Sequence, residues 1–207
     1  MSSAHKSDLP AAPTTPQNTA PPSPPTGTAH AAGELTRVAV INRGEAARRF
    51  IRAVRDVNLE HGSRIETVAL VTAVDRDWPY AHEADRVVHL EIPKDAGASA
   101  AYLNHDAIVA AARDAGADSA WVGWGFLSED SRFAQRLLDA GLIFMGPPPS
   151  AMQLAGDKIE AKRLAERCGV PVVPWSRAPV ESPTAAAEAA ERVGYPLVLK
   201  EAAGGGG

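Results

Sequence analysis

Residues 37–57 read RVAVINRGEAARRFIRAVRDV, and this stretch decides the fold class. It opens with a short apolar run at residues 38–41, which has the length of a strand, and the polar turn NRGE follows at once. Over residues 46–57 apolar side chains recur at helical spacing, which predicts a helix with one buried face. The apolar positions of this helix are Ala46, Ala47, Phe50, Ile51, Val54 and Val57.

The alternation of strands and helices continues along the chain. Further apolar strands are predicted at residues 67–72, 86–90, 119–122 and 142–145, with helices at residues 104–115 and 131–140. A strand that returns through a helix to another strand pairs with it in parallel. The expected fold class is therefore α/β, with a doubly wound, Rossmann-like parallel sheet covered on both faces over residues 36–146.

A proline run at residues 147–149 interrupts this pattern. Two short helices are predicted next, and they form a helical linker over residues 147–170. Residues 171–207 are typical of the start of a second domain, with a helix at residues 183–193 and an apolar strand at residues 196–200 that runs into EAAGGGG. We expect this second domain to be unfinished.

Composition excludes several classes of function. Residues 1–35 are rich in Pro, Ala, Ser and Thr, which predicts a disordered leader and neither a signal sequence nor a membrane span. The net charge of −4 lacks the basic excess that nucleic-acid binding needs. A lone cysteine, Cys168, fits a reducing cytoplasm and is expected to be a small buried hydrophobe. The histidines have no metal-ligand spacing, so no metal site is expected.

Two lysines carry the chemistry that the residues suggest. Lys200 precedes a glycine run whose backbone N–H groups could approach phosphate oxygens, although such a run is also typical of a linker. Lys158 is predicted at the start of a helix, where a positive charge opposes the helix dipole and a bound anion would explain it. A solvated surface lysine is the alternative interpretation.

The order and spacing of four segments resemble one family. They are INRGEAARRFIRAVRD (residues 41–56), GWGFLSED (123–130), IFMGPPPSAMQLAGDKIEAKRLAERCGVPVVPWS (143–176) and GYPLVLKEAAGGGG (194–207). Together they resemble the N-terminal part of biotin carboxylases, which belong to the ATP-grasp superfamily. Where the family usually reads HPGYGFLSEN, this chain reads WVGWGFLSED, so the resemblance leaves the acyl-CoA substrate open.

The resemblance assigns roles to matching positions. Lys158 and Lys200 match lysines that contact ATP in the family. The glycines of the family's phosphate lid match Gly204, Gly205, Gly206 and Gly207. The resemblance thus implies that residues 171–207 are the truncated start of an ATP-grasp domain.

Two further sets of positions are implied in the same way. Trp124 and Gly125 fall where the family's N-terminal domain faces biotin, and Glu129 lies in the same turn, with a simple helix-start carboxylate as its alternative. Arg49 and Arg52 match helix positions that face the partner subunit in dimeric members. An exposed basic helix face is the alternative for these arginines.

The implied reaction uses ATP and bicarbonate to make carboxyphosphate and then carboxylates biotin on a biotinylated carrier domain. A carboxyltransferase domain or subunit would be a further partner, in a cytoplasmic homodimer. The family's Mg²⁺ ligands and catalytic groups lie beyond its glycine loop. We therefore expect no catalytic residue in these 207 residues and no biotin carboxylation by the chain alone.

Two alternative functions are compatible with the sequence. Another ATP-grasp ligase, such as a carbamoyl-phosphate synthase, would share the lysines and the glycine loop but need not carry NRGE and GWGFLSE. A non-catalytic α/β module for binding or dimerisation is the second alternative.

Overall fold

The structure is a computed structural model that describes residues 35–200. The predicted leader falls outside these residues except at its last position, and the glycine run at residues 204–207 falls outside them entirely.

Five parallel strands form one sheet in the order β3-β2-β1-β4-β5. They are β1 (Arg37–Val40), β2 (Glu66–Val71), β3 (Arg86–His89), β4 (Ser119–Trp121) and β5 (Ile143–Phe144). The chain winds outwards from β1 to β3, returns to the other side of β1 at β4, and winds outwards again. This is the doubly wound α/β arrangement, so the predicted fold class is confirmed.

Eight helices connect and follow the strands within residues 35–200. They are α1 (Gly44–His61), α2 (Pro79–Glu83), α3 (Ala98–Ala101), α4 (His105–Asp114), α5 (Ser131–Asp139), α6 (Pro149–Gly156), α7 (Lys158–Arg167) and α8 (Pro183–Val193). The sequence did not predict α2 and α3, because helices this short show no periodicity. None of the helices in this part of the chain combines the length and apolarity needed to cross a bilayer.

The sheet is buried on both faces by two separate cores. On one face, Ala39 and Ile41 pack with apolar residues of α4 and α5. On the other, Val40 packs with residues of α1 and α2, including Ile51. Successive residues of a strand point to opposite faces, so the continuous apolar run in β1 serves both cores.

Two predictions of burial were wrong. Val57 was expected on the buried face of α1, but its side chain is 41% exposed. The buried face of α1 is formed by Ala46, Ala47, Ile51 and Val54, so it ends one turn earlier. Cys168 is exposed as well, because it lies just after the last residue of α7, a helix in which no residue is buried.

The strand predicted at residues 196–200 was also wrong. This segment has no regular structure, and its apolar side chains face solvent, with Val198 78% and Leu199 73% exposed. A strand needs a neighbour to satisfy its N–H and C=O groups, and within residues 35–200 no strand pairs with this segment. The apolar pattern therefore predicted neither a strand nor burial correctly within the described residues.

Candidate functional site

The carboxyl ends of β1, β2 and β4 meet at one edge of the sheet. Since β1 lies between β2 and β4, and the winding reverses there, this edge contains the topological switch point. Open parallel sheets bind ligands in the crevice outside the carboxyl ends of the strands at such a point. The three turns after these strands are therefore the candidate site.

Asn42 joins the turn after β1 to the turn after β4. Its side chain is buried, and Nδ2 donates hydrogen bonds to the main-chain oxygens of Val122 at 2.7 Å and Trp124 at 2.8 Å. Its Oδ1 accepts the backbone N–H of Arg43 at 2.8 Å. One amide therefore fixes the two predicted motifs, NRGE and GWGFLSED, against each other.

The turn after β4 presents the residues that were predicted to face biotin. Trp124 is 57% exposed, Gly125 has a left-handed backbone with φ +73°, and Glu129 is exposed. Phe126 has a φ of 46°, in the region that residues with a Cβ rarely adopt. The turn therefore displays an indole face and an open glycine at the edge of the sheet.

Asp130 provides the helix-start carboxylate that was the alternative role for Glu129. Its Oδ1 accepts the backbone N–H groups of Arg132 at 2.9 Å and Phe133 at 3.2 Å, which caps α5. Burial raises the pKa of Asp130, but these hydrogen bonds outweigh it, and the net pKa lies below its ordinary value. Because Asp130 occupies the cap, Glu129 makes no hydrogen bond to the first turn of α5 among the described residues.

Aromatic side chains pack against each other beneath the exposed ring of Trp124, in the turn after β4. Phe50 stacks on Trp121 with ring centroids 4.3 Å apart, and Trp121 meets Trp124 edge to face at 6.4 Å. Gly123 allows this arrangement, since a Cβ there would lie 2.5 Å from the ring of Trp121. The orientation of Trp124 thus depends on a residue of α1 and on the last residue of β4.

A buried carboxylate lies behind the turns. Asp75 is fully buried, and its Oδ2 accepts hydrogen bonds from Thr72 Oγ1 at 2.8 Å and Tyr102 Oη at 3.0 Å. Arg43 Nη2 lies 2.8 Å from Oδ1 as an ion pair, but without the alignment of a hydrogen bond. This contact balances the buried charge, which would otherwise be costly.

Two buried phenols extend this group. Tyr80 Oη lies 3.1 Å from Tyr102 Oη, and because a phenol has one proton, Tyr102 donates to Asp75 and accepts from Tyr80. Burial raises the pKa of Tyr80 to about 12 and also raises that of Tyr102, so both phenols stay neutral at physiological pH. The Arg43 guanidinium lies 5.5 Å from the ring of Trp78 and 6.0 Å from that of Tyr102.

Sequence reasoning assigned no role to the segment that holds Asp75. A signal existed, because Thr72 and Asp75 follow directly after a buried parallel strand, where ligand sites of this fold class form. The distant Tyr102 could not have been connected to them from the sequence.

The structure places Lys158 at the first residue of α7, half-buried. Asp157 caps this helix, with Oδ1 accepting the backbone N–H groups of Ile159 at 2.8 Å and Glu160 at 3.0 Å. These bonds hold the pKa of Asp157 below its ordinary value, so a carboxylate adjoins the lysine at the helix start. The helix dipole therefore does not require a bound anion, and the ATP role of Lys158 stays a prediction.

Lys200 is the last described residue, exposed, and outside any strand. It lies after α8, whereas Lys158 begins α7, so the two predicted ATP contacts lie in different parts of the chain. The glycines predicted to cover the phosphates lie outside the described residues.

Arg49 and Arg52 are both exposed on α1, as predicted, and both have partners within the chain. Arg49 pairs with Glu45 at 3.1 Å, one turn earlier. Arg52 pairs with Glu83 of α2 at 3.0 Å, and Arg48 binds the same carboxylate at 2.6 Å. The hydrogen bonds from Arg48 and Arg52 lower the pKa of Glu83 to about 2. The interface role of these arginines stays a prediction.

The described residues offer no site that fits Mg²⁺. Between residues 35 and 200, no three His, Cys, Asp or Glu side chains come together as metal ligands. Asp75, the buried carboxylate at the sheet edge, is already balanced by Arg43.

In comparisons with known proteins, the sequence matches two family profiles. The profile described as biotin carboxylase, N-terminal domain, matches residues 34–152. The profile described as carbamoyl-phosphate synthase L chain, ATP binding domain, matches residues 157–207.

Curated relatives cover most of the chain. The biotin carboxylase of Haemophilus influenzae is 39% identical over 174 residues, which is 84% of this chain and 37% of that protein. The propionyl-CoA carboxylase alpha chain of Ruegeria pomeroyi is 37% identical over 173 residues, again 84% of this chain but 24% of that protein. The chain thus spans 37% of the length of the first relative and 24% of the length of the second.

Solved structures show the same similarity. The biotin carboxylase domain dimer of Hydrogenobacter thermophilus 2-oxoglutarate carboxylase, in complex with MgADP, ADP and bicarbonate, has a TM-score of 0.76 at 34% identity. The match covers 83% of this chain and 36% of that one. A biotin carboxylase complex with β,γ-ATP from Campylobacter jejuni has a TM-score of 0.76 at 36% identity, covering 84% and 37% of the two chains.

Proposed function

The chain belongs to the biotin carboxylase family, and from that premise we propose that it supplies the N-terminal domain of an enzyme that carboxylates biotin with ATP and bicarbonate. The observation that carries the proposal is the bond from Asn42 to Trp124, which joins NRGE and GWGFLSED at the switch point of the sheet. Both motifs are thereby held where this fold class binds ligands.

Within this proposal the turn after β4 binds and orients biotin. The exposed indole of Trp124 offers an apolar face for a ring, and Gly125 leaves room for a close approach of the ligand to the backbone. Glu129, exposed in the same turn, adds a carboxylate that can accept a hydrogen bond. The role of these residues is to hold the acceptor in place for the carboxyl group.

Lys158 and Lys200 are proposed to bind the phosphates of ATP, and Gly204–Gly207 to cover them. Positive charge stabilises a phosphoryl group during transfer, and closure of a glycine loop keeps water from a labile carboxyphosphate. Mg²⁺ would supply further charge stabilisation when bound with the nucleotide. Support comes from the relatives whose solved structures contain ADP, bicarbonate or β,γ-ATP.

The proposed partners follow from the names of the relatives. The relatives include biotin carboxylases and the alpha chain of a propionyl-CoA carboxylase. These names favour a biotinylated carrier domain and a carboxyltransferase domain or subunit as partners. Arg49 and Arg52 are proposed to contact a second subunit, and one solved relative is a domain dimer. A cytoplasmic location completes the proposal, in keeping with the single cysteine.

A second candidate is another ATP-grasp ligase, favoured by the match of residues 157–207 to an ATP-binding domain of carbamoyl-phosphate synthase. The match of residues 34–152 to the biotin carboxylase N-terminal domain favours biotin over this candidate. The two candidate enzymes differ in the substrate that accepts the activated group, and only for the first is this acceptor biotin.

The gene product that contains this sequence provides the test. We expect its release of ADP, measured in Mg²⁺ buffer, to require bicarbonate and to increase with free biotin until saturation. Desthiobiotin, which lacks the sulfur ring but keeps the ureido group, serves as an acceptor control. ADP release that needs bicarbonate but is indifferent to biotin would favour the second candidate, and the absence of nucleotide binding would favour a non-catalytic module.

A further inference from the structure

Asp75 is buried where nothing in the proposed reaction uses it. The carboxylate is 0% exposed and lies between β2 and α2, next to the edge of the sheet that carries the candidate site. Burying a charge is unfavourable unless its partners are fixed, so a buried carboxylate is typical of a side-chain network that holds one conformation. The hydrogen-bond partners of Asp75 show which part of the structure this network holds.

Tyr102 connects Asp75 to the turn after β4. Its hydroxyl donates to Asp75 Oδ2 at 3.0 Å, and its ring, which is fully buried, lies 5.4 Å from the ring of Phe126. This hydrogen bond is shorter than the 3.3 Å contact of the same hydroxyl with Leu70 O and fixes one end of Tyr102. The aromatic contact transmits that position to the turn.

Phe126 needs such support. Its φ of 46° is a left-handed conformation that costs a residue with a Cβ about 1–2 kcal/mol. Backbone conformations of this kind persist where the surroundings over-determine them. The ring contact with Tyr102 is one such restraint, and the bonds from Asn42 to the residues on either side of Gly123 are another.

We infer that Asp75, acting through Tyr102, is a positioning residue for the turn that holds Trp124, Gly125 and Glu129. Its loss lets Tyr102 and Phe126 move, so Trp124 and Gly125 no longer keep one orientation towards biotin. The part of this inference that concerns biotin rests on the proposed function, whereas the part that concerns the turn does not.

Amide hydrogen exchange measures the turn directly. In this turn the N–H of Ser128 donates to Gly125 O at 2.9 Å and the N–H of Asp130 donates to Leu127 O at 3.1 Å. We expect Asp75→Ala to accelerate exchange of both amides about 10-fold. Asp75→Asn keeps an oxygen for Tyr102 and loses only the charge, so its effect should be smaller, and it also serves if the alanine variant does not fold.

Asp118→Asn is the matched control. Asp118 accepts hydrogen bonds from the backbone N–H groups of Thr36 at 2.7 Å and Arg37 at 3.0 Å, at the opposite end of the sheet. Its substitution should lower the free energy of unfolding without changing exchange in the turn. If Ser128 and Asp130 exchange at the wild-type rate in both Asp75 variants, or equally fast in the control, the inference is overturned.

Kinetics of the gene product then test the link to biotin. We expect Asp75→Asn to raise KM for biotin about 10-fold and to leave KM for ATP unchanged, because only the turn is displaced. Faster exchange with an unchanged KM for biotin would overturn the biotin part and leave the positioning of the turn established. A wild-type protein that hydrolyses ATP without biotin would refute the proposed function, and exchange would still decide the role of Asp75.

Discussion

The side-chain amide of Asn42 donates a 2.8 Å hydrogen bond to the main-chain oxygen of Trp124. Since the same nitrogen also donates to Val122 O, a single side chain satisfies two carbonyl groups of another turn. Truncation of a side chain that leaves such groups unpaired costs more than the hydrogen bond itself is worth.

Asn42→Ala should therefore destabilise the protein by about 2–4 kcal/mol, since two carbonyl groups lose their donor. Urea unfolding at equilibrium gives this free energy. Asn104→Ala is the control, because Asn104 caps α4 with one 3.2 Å hydrogen bond in an exposed position and should cost about 1 kcal/mol. Equal costs for the two variants would contradict the bridging role of Asn42.

Gly123 and Gly125 form a matched pair for a second prediction. Both have left-handed backbones, with φ +70° and +73°, so alanine is strained at either position by about 1–2 kcal/mol. At Gly123 a Cβ also meets Trp121, whereas at Gly125 nothing lies within 4 Å. Gly123→Ala should therefore cost about 1–3 kcal/mol more than Gly125→Ala, measured by thermal or urea unfolding. Equal losses would show that Trp121 moves aside freely.

The third prediction concerns the stability that Glu83 contributes at different pH. The two arginines lower its pKa from 4.5 to about 2, so ionised Glu83 stabilises the folded state above pH 4.5, and this contribution is lost as pH falls towards 2. The difference in unfolding free energy between wild type and Glu83→Gln should therefore shrink over this range. Glu91→Gln removes the same charge at an exposed position and should show a smaller change. A difference that stays constant below pH 4 would exclude the ion pairs as its source.

Nucleotide binding gives the fourth prediction. Lys158→Ala in the gene product should raise KM for ATP about 10-fold to 100-fold, because a charge-assisted hydrogen bond to a phosphate is lost. Lys162→Ala is the control, since Lys162 lies one turn later on α7 and its ammonium is 5.3 Å from the ring centre of Trp175. An equal effect of both substitutions would indicate a change in α7 and not a contact with ATP.

Self-association gives the fifth prediction. Arg49→Glu should weaken a dimer by about 10-fold or more in sedimentation experiments, because it places a negative charge on the proposed interface. Arg113→Glu makes the same change at an exposed position near the end of α4 and should leave association unchanged. A dimer equally stable in both variants would place the interface elsewhere.

Most of the sheet could be predicted from the sequence because its strands are short apolar runs separated by helices with a clear period. The helical spacing of apolar residues in α1, for example, reflects the burial of one face of the helix and is visible in the sequence. Residues 196–200 carry an equally apolar pattern, yet a strand also depends on a neighbour, which the local sequence does not specify.

In the candidate site, too, some features could be predicted from the sequence and others could not. The turns NRGE and GWGFLSED were recognisable as motifs, and the structure brings them together through Asn42. The contact of Asp75 with Tyr102 was not recognisable, because Tyr102 lies 27 residues further along the chain and its hydroxyl contacts Asp75 only after the sheet has formed. Contacts of this kind depend on tertiary packing, for which a single sequence gives no local signal.

The exposed thiol of Cys168 has a practical consequence. Because these 207 residues contain one cysteine, a maleimide dye would attach to this part of the protein at a single known place, immediately after α7. That place is about 15 Å along the helix from Lys158, the proposed contact of ATP, at 1.5 Å per residue, which is a distance suited to energy transfer from a fluorescent ATP analogue. This part of the protein thus carries its own attachment point for following the proposed binding of a nucleotide in real time.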